Sequence, residues 1–250
     1  MKKIGKWQYL VGLPCSALII YWFYFMEREQ AKRLTPIIVG VIVFLSIIGF
    51  IYGFYSSRRR KEDLKGFGAG MGFFTSPAAD HSAFLKKIKW SGLFGGSGLV
   101  KASPRSVRHL MQGNIDSADV AIFDRVMGGG QSEEVLTTVV LFESTLLSLP
   151  YFLLRPEGIF DKVESAFGDQ DIDFDGFPKF SRQYLLRGQE DQVRNVFNSN
   201  VLSYFDNYPG WTLEGFGTQL LVYRNKESVA SKEEFQEFVQ QARMIYQLFQ

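Results

Sequence analysis

Two long runs of apolar residues open the chain and dominate its hydrophobic pattern. Residues 7–26 and 36–57 contain no charged side chain over 20 and 22 positions respectively. A helix rises about 1.5 Å per residue, so about 20 apolar residues cross the hydrocarbon core of a bilayer. A buried core helix is the alternative for a single run of this kind. Two adjacent runs followed by a basic cluster instead predict a transmembrane hairpin over residues 1–57.

The first run is expected to remain part of the mature chain. Lys2, Lys3 and Lys6 resemble the basic start of a secretory signal peptide, but the run ends in large aromatic residues without a small-residue cleavage site. A lipoprotein anchor at Cys15 is not predicted either, because Pro14 precedes this cysteine.

The basic residues around the two spans predict their orientation. Nine residues, 27–35, separate the spans, so both chain ends lie on the same side of the membrane. Cytoplasmic flanks of membrane helices are enriched in Lys and Arg. Both termini and the following domain are therefore predicted to be cytosolic. The flanks carry Lys2, Lys3, Lys6, Arg58, Arg59, Arg60, Lys61 and Lys65, against Arg28, Lys32 and Arg33 in the turn.

Small residues at a spacing of four indicate where the spans pack. Gly12 with Ser16 in the first span, and Gly49 with Gly53 in the second, allow two helix backbones to approach closely. Packing within the hairpin is the favoured interpretation, and contacts in a homo-oligomer are the alternative.

Residues 58–90 form a basic connector that is rich in glycine and phenylalanine. Two interpretations stay open. The connector rests on anionic lipid headgroups, or it is a flexible linker that contains a short helix. On the first interpretation, the residues at the membrane surface are Arg58, Arg59, Arg60, Lys61, Lys86, Lys87, Lys89 and Trp90.

The pattern changes in residues 91–250, which predict a soluble domain. Strands are rich in β-branched and aromatic residues between glycine or proline breaks, whereas helices carry one apolar stripe. Ser231 and Glu234 form a capping box ahead of the last helix. Hairpins interspersed with about three packed helices indicate an α+β fold of antiparallel strands. The predicted strands are 120–126, 135–142, 151–154, 180–186, 211–216 and 219–223, and the predicted helices are 156–167, 190–205 and 231–249.

Charge and cysteine content narrow the function of this domain. Up to Lys65 the chain has 11 basic and 4 acidic residues, whereas the remainder has 17 basic and 22 acidic residues. A mildly acidic domain argues against nucleic-acid binding, which depends on neutralising phosphates. Cys15 is the single cysteine, so a disulfide within one chain and a cysteine-based zinc site are excluded. No cofactor motif is recognised, and no cofactor is predicted.

A set of short motifs in the predicted domain carries a family resemblance. These motifs are Phe123-Asp124 and the segments 138–142, 149–157, 171–174, 180–181 and 211–223. They resemble a group of uncharacterised bacterial membrane-anchored proteins, in which an apolar N-terminal pair precedes a domain with an L-P-x-F-x-L-x-P-E motif. Arg125 departs from the group, which has an aromatic residue after the aspartate. The resemblance covers Leu93 to the C-terminus and implies a bacterial inner-membrane location, but no activity and no site residues.

Three alternating aspartates form a candidate metal site. Asp171, Asp173 and Asp175 precede Gly176 and resemble the start of a calcium loop, because hard cations take several oxygen ligands. Arg182 stands where such a loop has its bidentate glutamate. The favoured alternative is a short strand edge with exposed carboxylates.

Catalytic chemistry finds little support in the sequence. His81 and His109 are the only histidines, and no G-x-S-x-G motif is present. His109 follows Arg105 and Arg108 in a polar stretch, which predicts a solvated side chain. The glycine-rich stretch before Lys101 lacks the Gly-Lys-Ser/Thr ending of a phosphate-binding loop. No catalytic residue is predicted.

Together these patterns predict a membrane-tethered interaction or scaffold protein with a cytosolic domain. Its expected partners are the lipid bilayer and another protein, with no nucleic acid, and a homo-oligomer stays open. One alternative is a membrane-bound hydrolase that uses carboxylates or a serine. Another is a lipid- or ligand-sensing domain, since 16% of the residues are aromatic and could line an apolar pocket.

Overall fold

The chain divides into two compact units, Met1–Arg59 and Arg60–Gln250. The computed structural model describes residues 39–49, 62–64, 66–76, 81–88, 106–129, 132–157, 171–225, 227–229 and 231–250. The first predicted span, 7–26, lies outside the described residues, and the second is described over residues 39–49.

The described part of the first unit is one helix, residues 39–49, with apolar side chains all around it. Ile42 is half-buried, and the exposed fraction of the other seven large apolar side chains runs from 46% for Leu45 and Ile48 to 62% for Phe44. Ser46 Oγ donates to the carbonyl oxygen of Ile42 at 2.8 Å, so its hydroxyl is satisfied within the helix. As far as the structure describes the chain, no helix is both long and apolar enough to cross a membrane.

The second unit is built on one antiparallel sheet, which has eight strands in the described residues. Their order in the sheet is β1-β2-β3-β4-β8-β7-β5-β6. Two groups of four strands therefore meet where β4 pairs with β8, a contact between residues about 80 positions apart. The strands are β1 (Phe74–Thr75), β2 (Val107–Ile115), β3 (Ala118–Gly129), β4 (Ser132–Glu143), β5 (Leu149–Pro156), β6 (Tyr184–Gly188), β7 (Thr212–Gly217) and β8 (Gln219–Tyr223).

The helices of this unit begin at residues that favour a helix start. Pro178 occupies the first turn of one helix, where its missing N–H costs nothing. The side chain of Asn198 accepts from two backbone N–H groups at the start of another, and Ser231 accepts from Glu234 N at 3.2 Å. The helices are α1 (His81–Lys87), α2 (Pro178–Gln183), α3 (Glu190–Val196), α4 (Ser199–Asn207) and α5 (Lys232–Gln247), with shorter helical segments at 62–64 and 66–69.

Alternating side chains divide the core between the two faces of the sheet. The larger core lies on the face that packs against α2 to α5. In it, the ring of Phe142 stacks on Tyr246 at 4.7 Å between centroids, and Phe152 meets Phe197 edge-on at 5.0 Å. A smaller cluster lies on the opposite face beneath α1 and comprises Phe84, Leu85, Ile88, Val107, Leu110, Ala121, Phe123, Val139, Leu141, Leu221 and Tyr223.

Part of the predicted connector belongs to the folded second unit. Leu64 and Phe73 are 3% and 5% exposed and join the larger core, and β1 pairs with the edge of β2. The compact unit therefore begins at Arg60, earlier than the predicted domain start at residue 91. The physical reason is that Phe73 buries in the larger core and Phe67 packs against it, whereas Phe74 on the edge strand stays exposed.

Most predicted elements of the domain are confirmed. The two hairpins, the strand at 151–154 and the capped C-terminal helix are present, and the class is α+β with an antiparallel sheet. The predicted helix at 156–167 lies outside the described residues after Glu157, and Pro156 is the last residue of β5.

Two predicted elements were wrong in their boundaries. The predicted strand 180–186 is a helix up to Gln183 and a strand only from Tyr184, because the proline at the start of α2 favours a helical turn. The predicted helix 190–205 is two helices, because Asn198 caps a new helix within it. The strand β2 was not predicted, since its sequence lacks a regular apolar alternation.

Candidate functional sites

Most residues predicted to act in or at the membrane lie outside the described residues. Gly49 is described, and no atom of the described chain lies within 4 Å of a Cβ built on it. The packing roles of the small residues therefore stay predictions. The predicted residues outside the described part are Gly12, Ser16, Gly53, Arg58, Arg59, Arg60, Lys61, Lys89 and Trp90.

Helix α1 carries Lys86 and Lys87, the described members of the predicted membrane surface. Its apolar side is buried against the sheet, where the ring of Phe84 meets Phe123 edge-on at 5.0 Å. Lys87 forms an ion pair with Glu143 on β4. A helix whose apolar side packs on protein cannot insert that side among lipids. The short helix of the second interpretation is therefore present, but it is packed on the sheet and is not part of a flexible linker.

The three candidate calcium ligands do not form a cluster. Asp171 Oδ1 accepts a hydrogen bond from Leu186 N at 2.8 Å, whereas Asp173 and Asp175 are exposed. Burial raises the pKa of the Asp171 carboxyl group, and the bond from Leu186 opposes this shift. Within the described residues, no three carboxylate, histidine or cysteine side chains are grouped to hold a metal ion. The geometry gives the calcium prediction no support.

Neighbouring contacts hold this acidic segment beside β6, an edge strand of the sheet. Ile172 N donates to Leu186 O at 2.9 Å beside β6. Arg194 donates to the carbonyl oxygen of Asp173 at 2.9 Å, and its guanidinium lies 4.8 Å from the ring centroid of Phe174. The carboxylates of Asp173 and Asp175 are exposed, as the favoured alternative expected, but the segment is not a strand and Asp171 is half-buried.

A buried polar network links β2, β3 and β4 to the segment before α5. His109 Nδ1 lies 2.9 Å from Asp124 Oδ2, and Thr138 Oγ1 donates to Asp124 Oδ1 at 2.8 Å. Val229 N in turn donates to Thr138 Oγ1 at 3.1 Å. The side chain of His109 is 12% exposed and that of Asp124 only 1%. The prediction of a solvated His109 was therefore wrong.

The backbone of β2 explains how His109 reaches this position. The register between β2 and β3 shifts between Arg108 and Met111, which is a β-bulge. His109 has a φ of 54°, in the left-handed region that residues other than glycine rarely adopt. Backbone strain of this kind persists only where the surroundings hold it, and it is frequent at functional sites. The sequence signal for the network is Asp124, an acidic residue inside an otherwise apolar strand.

The geometry limits the chemistry that this network can perform. Asp124 orients the ring of His109 through Nδ1, so Nε2 is the nitrogen that can exchange a proton with a ligand. The hydroxyl of Thr138 donates to Asp124 rather than to His109, so it is not arranged as a nucleophile activated by the histidine.

Charged side chains are also buried on the sheet face opposite the larger core. Glu214 is fully buried and accepts from the hydroxyl of Tyr223 at 2.8 Å. Strand register places Glu214 and Arg187 in one row across β7, β5 and β6. Arg187 is 8% exposed, and so is Arg155 on β5. Burial, and then the charge of Glu214, raises the pKa of Tyr151 to about 12. Charges of both signs on one buried face are expected to compensate each other.

Over the residues that the structure describes, these observations define an α+β protein with an antiparallel sheet of eight strands and an apolar helix earlier in the sequence. No protein-family profile matches the chain, and no curated protein matches it in sequence. Among solved structures, the chain is similar to the mycobacterial trehalose monomycolate transport factor A, TtfA, with a TM-score of 0.54 and 17% sequence identity. The match covers 76% of this chain and 94% of that chain, and at this identity it shows the fold alone.

Proposed function

We propose that this protein is a membrane-tethered interaction or scaffold protein whose folded second unit binds a protein partner of a transport machinery. The observation that carries the proposal is the helix at 39–49. A helix that is apolar on every side is normally buried in a protein core or in a bilayer. Here seven large apolar side chains are instead about half exposed, for example Val39 at 52% and Ile48 at 46%.

Lipid is the solvent that best fits this helix. Apolar surface in water costs about 25 cal/mol per Å², and seven large apolar side chains of the helix are exposed. Its one hydroxyl, on Ser46, is bonded to the helix backbone, as hydrocarbon surroundings require. The helix also lies within the uncharged run of 22 residues at 36–57. These features support a span over that run, paired with the run at 7–26.

The orientation of the two spans in the membrane follows from the basic residues that flank them. Eight basic residues flank the two runs on the side of the chain ends, against three in the turn between them. This bias supports a domain on the cytosolic side, and the family resemblance supports the inner membrane of a bacterium.

The similarity to a solved structure supports the proposal that the protein partner belongs to a transport machinery. The neighbour is named as a trehalose monomycolate transport factor, and the matched share of this chain equals in size the unit Arg60–Gln250. The Thr138 hydroxyl donates to Asp124 and not to His109, so this network holds no nucleophile activated by the histidine, which favours a binding role over catalysis.

One end of the sheet offers a surface for a protein partner. Leu146 and Phe216 are 57% and 49% exposed, and the ring of Tyr151 meets Phe216 edge-on at 6.0 Å. The pairing of Leu149 with Gly217 places the β4–β5 turn and the end of β7 at the same end of the sheet. Exposed apolar and aromatic residues grouped in this way are typical of protein interfaces.

Membrane attachment is tested on the full chain by extraction with alkaline carbonate. We expect the wild type and the control Leu45→Ala to stay with the membrane. Leu45→Arg should shift protein to the soluble fraction, because an arginine at the centre of a span costs about 2.5–3.5 kcal/mol. Release of the wild type by carbonate alone overturns the proposal. A reporter enzyme that is active only outside the cytosol, fused after Gln250, should be inactive.

Partner binding is tested by a photo-crosslinking amino acid placed at Leu146 or Phe216, in cells, with Glu233 as an exposed control position. We expect crosslinks to one discrete membrane protein from the first two positions and not from the control. The same crosslinking pattern from all three positions contradicts a specific interface at this end of the sheet.

The pair of His109 and Asp124 favours a second candidate, a membrane-bound hydrolase. In that case a fluorophosphonate probe should label the purified full chain, and His109→Ala should abolish the labelling. Absence of labelling above the level of heat-denatured protein rejects a serine hydrolase of this type.

A further inference from the structure

A cleft of about 260 Å³ opens beside α1, on the face of the sheet opposite the larger core. Its floor is formed by Ala121 and Leu141, which are buried side chains of β3 and β4. Phe74 of the edge strand β1 and Phe84 of α1 line it as well. Gly113 and Val120 complete the apolar lining, and the other side chains are polar, so the cleft has an apolar base and a hydrophilic rim.

The hydrophilic rim is a row of side chains fixed by strand register. Asn114, Asp119 and Glu143 are successive partners across β2, β3 and β4, so their side chains point to the same face. Gln219 on β8 continues the row beyond the residues that line the cleft. Asn114 Nδ2 donates to Asp119 Oδ1 at 2.7 Å, and Gln219 Nε2 donates to Glu143 Oε1 at 3.2 Å. The row is therefore held in place before any ligand arrives.

A second row supplies a further amide. Ser76 Oγ donates to Gln112 Oε1 at 2.5 Å, which orients the amide of Gln112 and leaves its NH₂ group for another acceptor. Each carboxylate has about four acceptor positions, of which the bonds named above use only part. Planar amides and carboxylates in adjacent rows can thus both donate to and accept from a set of neighbouring hydroxyl groups.

The aromatic rings provide the complementary apolar contact. Phe74 is 64% exposed, which is the largest exposure of any large apolar side chain in the described residues. Phe84 also lines the cleft but is only 6% exposed, because it packs edge-on against Phe123, so Phe74 is the ring that is open to a ligand. The face of an aromatic ring carries partial negative charge and attracts the C–H groups of a saturated ring.

The apolar base and polar rim fit a saturated ring that has C–H groups on its face and hydroxyl groups at its edge. The charge of the cleft narrows the choice among such ligands. Asp119, Glu143 and Lys87 line the cleft, which leaves one negative charge in excess. This excess disfavours phosphates and other anions. We propose that the cleft binds a neutral sugar ring, either as a free saccharide or as the headgroup of a glycolipid. The inference does not depend on the proposed tether or on a protein partner.

Binding is tested with the purified full chain in a polyoxyethylene detergent, because glycoside detergents would compete for the site. Saturation-transfer difference NMR is recorded with glucose and with maltose, and glucose 6-phosphate and choline serve as charged comparisons. We expect saturable binding of a neutral sugar, weaker binding of the phosphate and no preference for choline. Absence of saturable binding of both sugars, or tighter binding of either charged probe, overturns the proposal.

Matched variants locate the binding. Phe74→Ala and Asp119→Ala should weaken the affinity about tenfold or more, which corresponds to about 1.4 kcal/mol. Tyr208→Ala and Asp175→Ala replace an exposed aromatic residue and an exposed aspartate elsewhere, and they should change the affinity less than twofold. Equal effects of both pairs contradict a site in this cleft. Circular dichroism of each variant distinguishes lost binding from lost folding.

Vesicles distinguish the two sources of the sugar. Reconstituted full chain is titrated with glucose in vesicles of phosphatidylglycerol, with or without glucosyl diacylglycerol. Competition by the glycolipid assigns the site to a lipid headgroup. Unchanged glucose binding assigns it to a free saccharide, and either result is compatible with the cleft as a sugar site.

Discussion

Gly215 leaves room for the ring of Phe152, and its replacement by alanine tests how tightly the larger core is packed. Phe152 on β5 is the register partner of Gly215 on β7. A Cβ built on Gly215 lies 2.1 Å from Cε1 of Phe152 and 2.7 Å from Cδ1 and Cζ. The ring is fully buried, edge-on to Phe197 at 5.0 Å and stacked on Phe249 at 5.8 Å, so it cannot swing away.

The size of this clash sets the expected loss of stability in Gly215→Ala. Carbon atoms in contact are separated by about 3.5–4.0 Å, so the ring or the strand must move by more than about 1 Å. Overpacking of a buried site costs about 1–3 kcal/mol, and a contact as short as that at Gly215 belongs at the upper end of this range. For a unit of this size, each kcal/mol shifts Tm by about 2–4 °C. We therefore expect Gly215→Ala to lower Tm by about 6–12 °C.

The assay is thermal unfolding of the full chain in detergent, followed by circular dichroism. Gly176→Ala is the matched control, because no atom of the described chain lies within 4 Å of a Cβ at that position. The double variant Phe152→Leu with Gly215→Ala should lose less stability than the sum of the two single changes, since the smaller side chain makes room for the new methyl group. A Tm of Gly215→Ala equal to that of Gly176→Ala refutes the packing described here.

Three further changes probe hydrogen bonds and charge. Thr138→Val should lower the free energy of unfolding by about 1–3 kcal/mol in a denaturant titration. The change removes the hydroxyl that donates to Asp124 and accepts from a buried backbone N–H, and an unchanged midpoint contradicts this reasoning. Asp171→Asn should raise Tm at pH 7, because the raised pKa of Asp171 means that its ionisation opposes folding. That gain should disappear below pH 3.8, where both side chains are neutral, and a gain independent of pH argues against the assignment. Ser231→Ala should cost about 1 kcal/mol through loss of the cap on α5, measured in the same titration, whereas Ser203→Ala on the exposed side of α4 should cost less.

Helices and strands whose apolar residues keep a regular spacing could be predicted from the sequence. The hairpin of β7 and β8 and the helix α5 have regular apolar spacing and local end signals, such as the cap at Ser231. Errors arose where one residue changes the local structure within a continuous apolar pattern. Asn198 divides a predicted helix into α3 and α4, and Pro178 turns the start of a predicted strand into α2.

The polar sites depended on contacts that no local pattern contains. His109 and Asp124 are 15 residues apart in sequence, and Val229 meets Thr138 across 91 residues. A bulge in β2 brings the histidine into the network, and a bulge is a property of two paired strands rather than of one. A lone histidine between polar residues therefore gave the wrong prediction.

The sequence by itself determined the local properties of this protein: two apolar runs long enough to span a bilayer, a basic N-terminal part, a mildly acidic α+β domain and a single cysteine. Only the tertiary structure decided that β4 pairs with β8, that Leu64 and Phe73 of the connector join the core, and that a polar row and the exposed ring of Phe74 line a cleft. The physical reason is that periods of 2 and 3.6 residues record which side of an element is buried. They do not record which distant element covers that side, because many partners can satisfy the same apolar face.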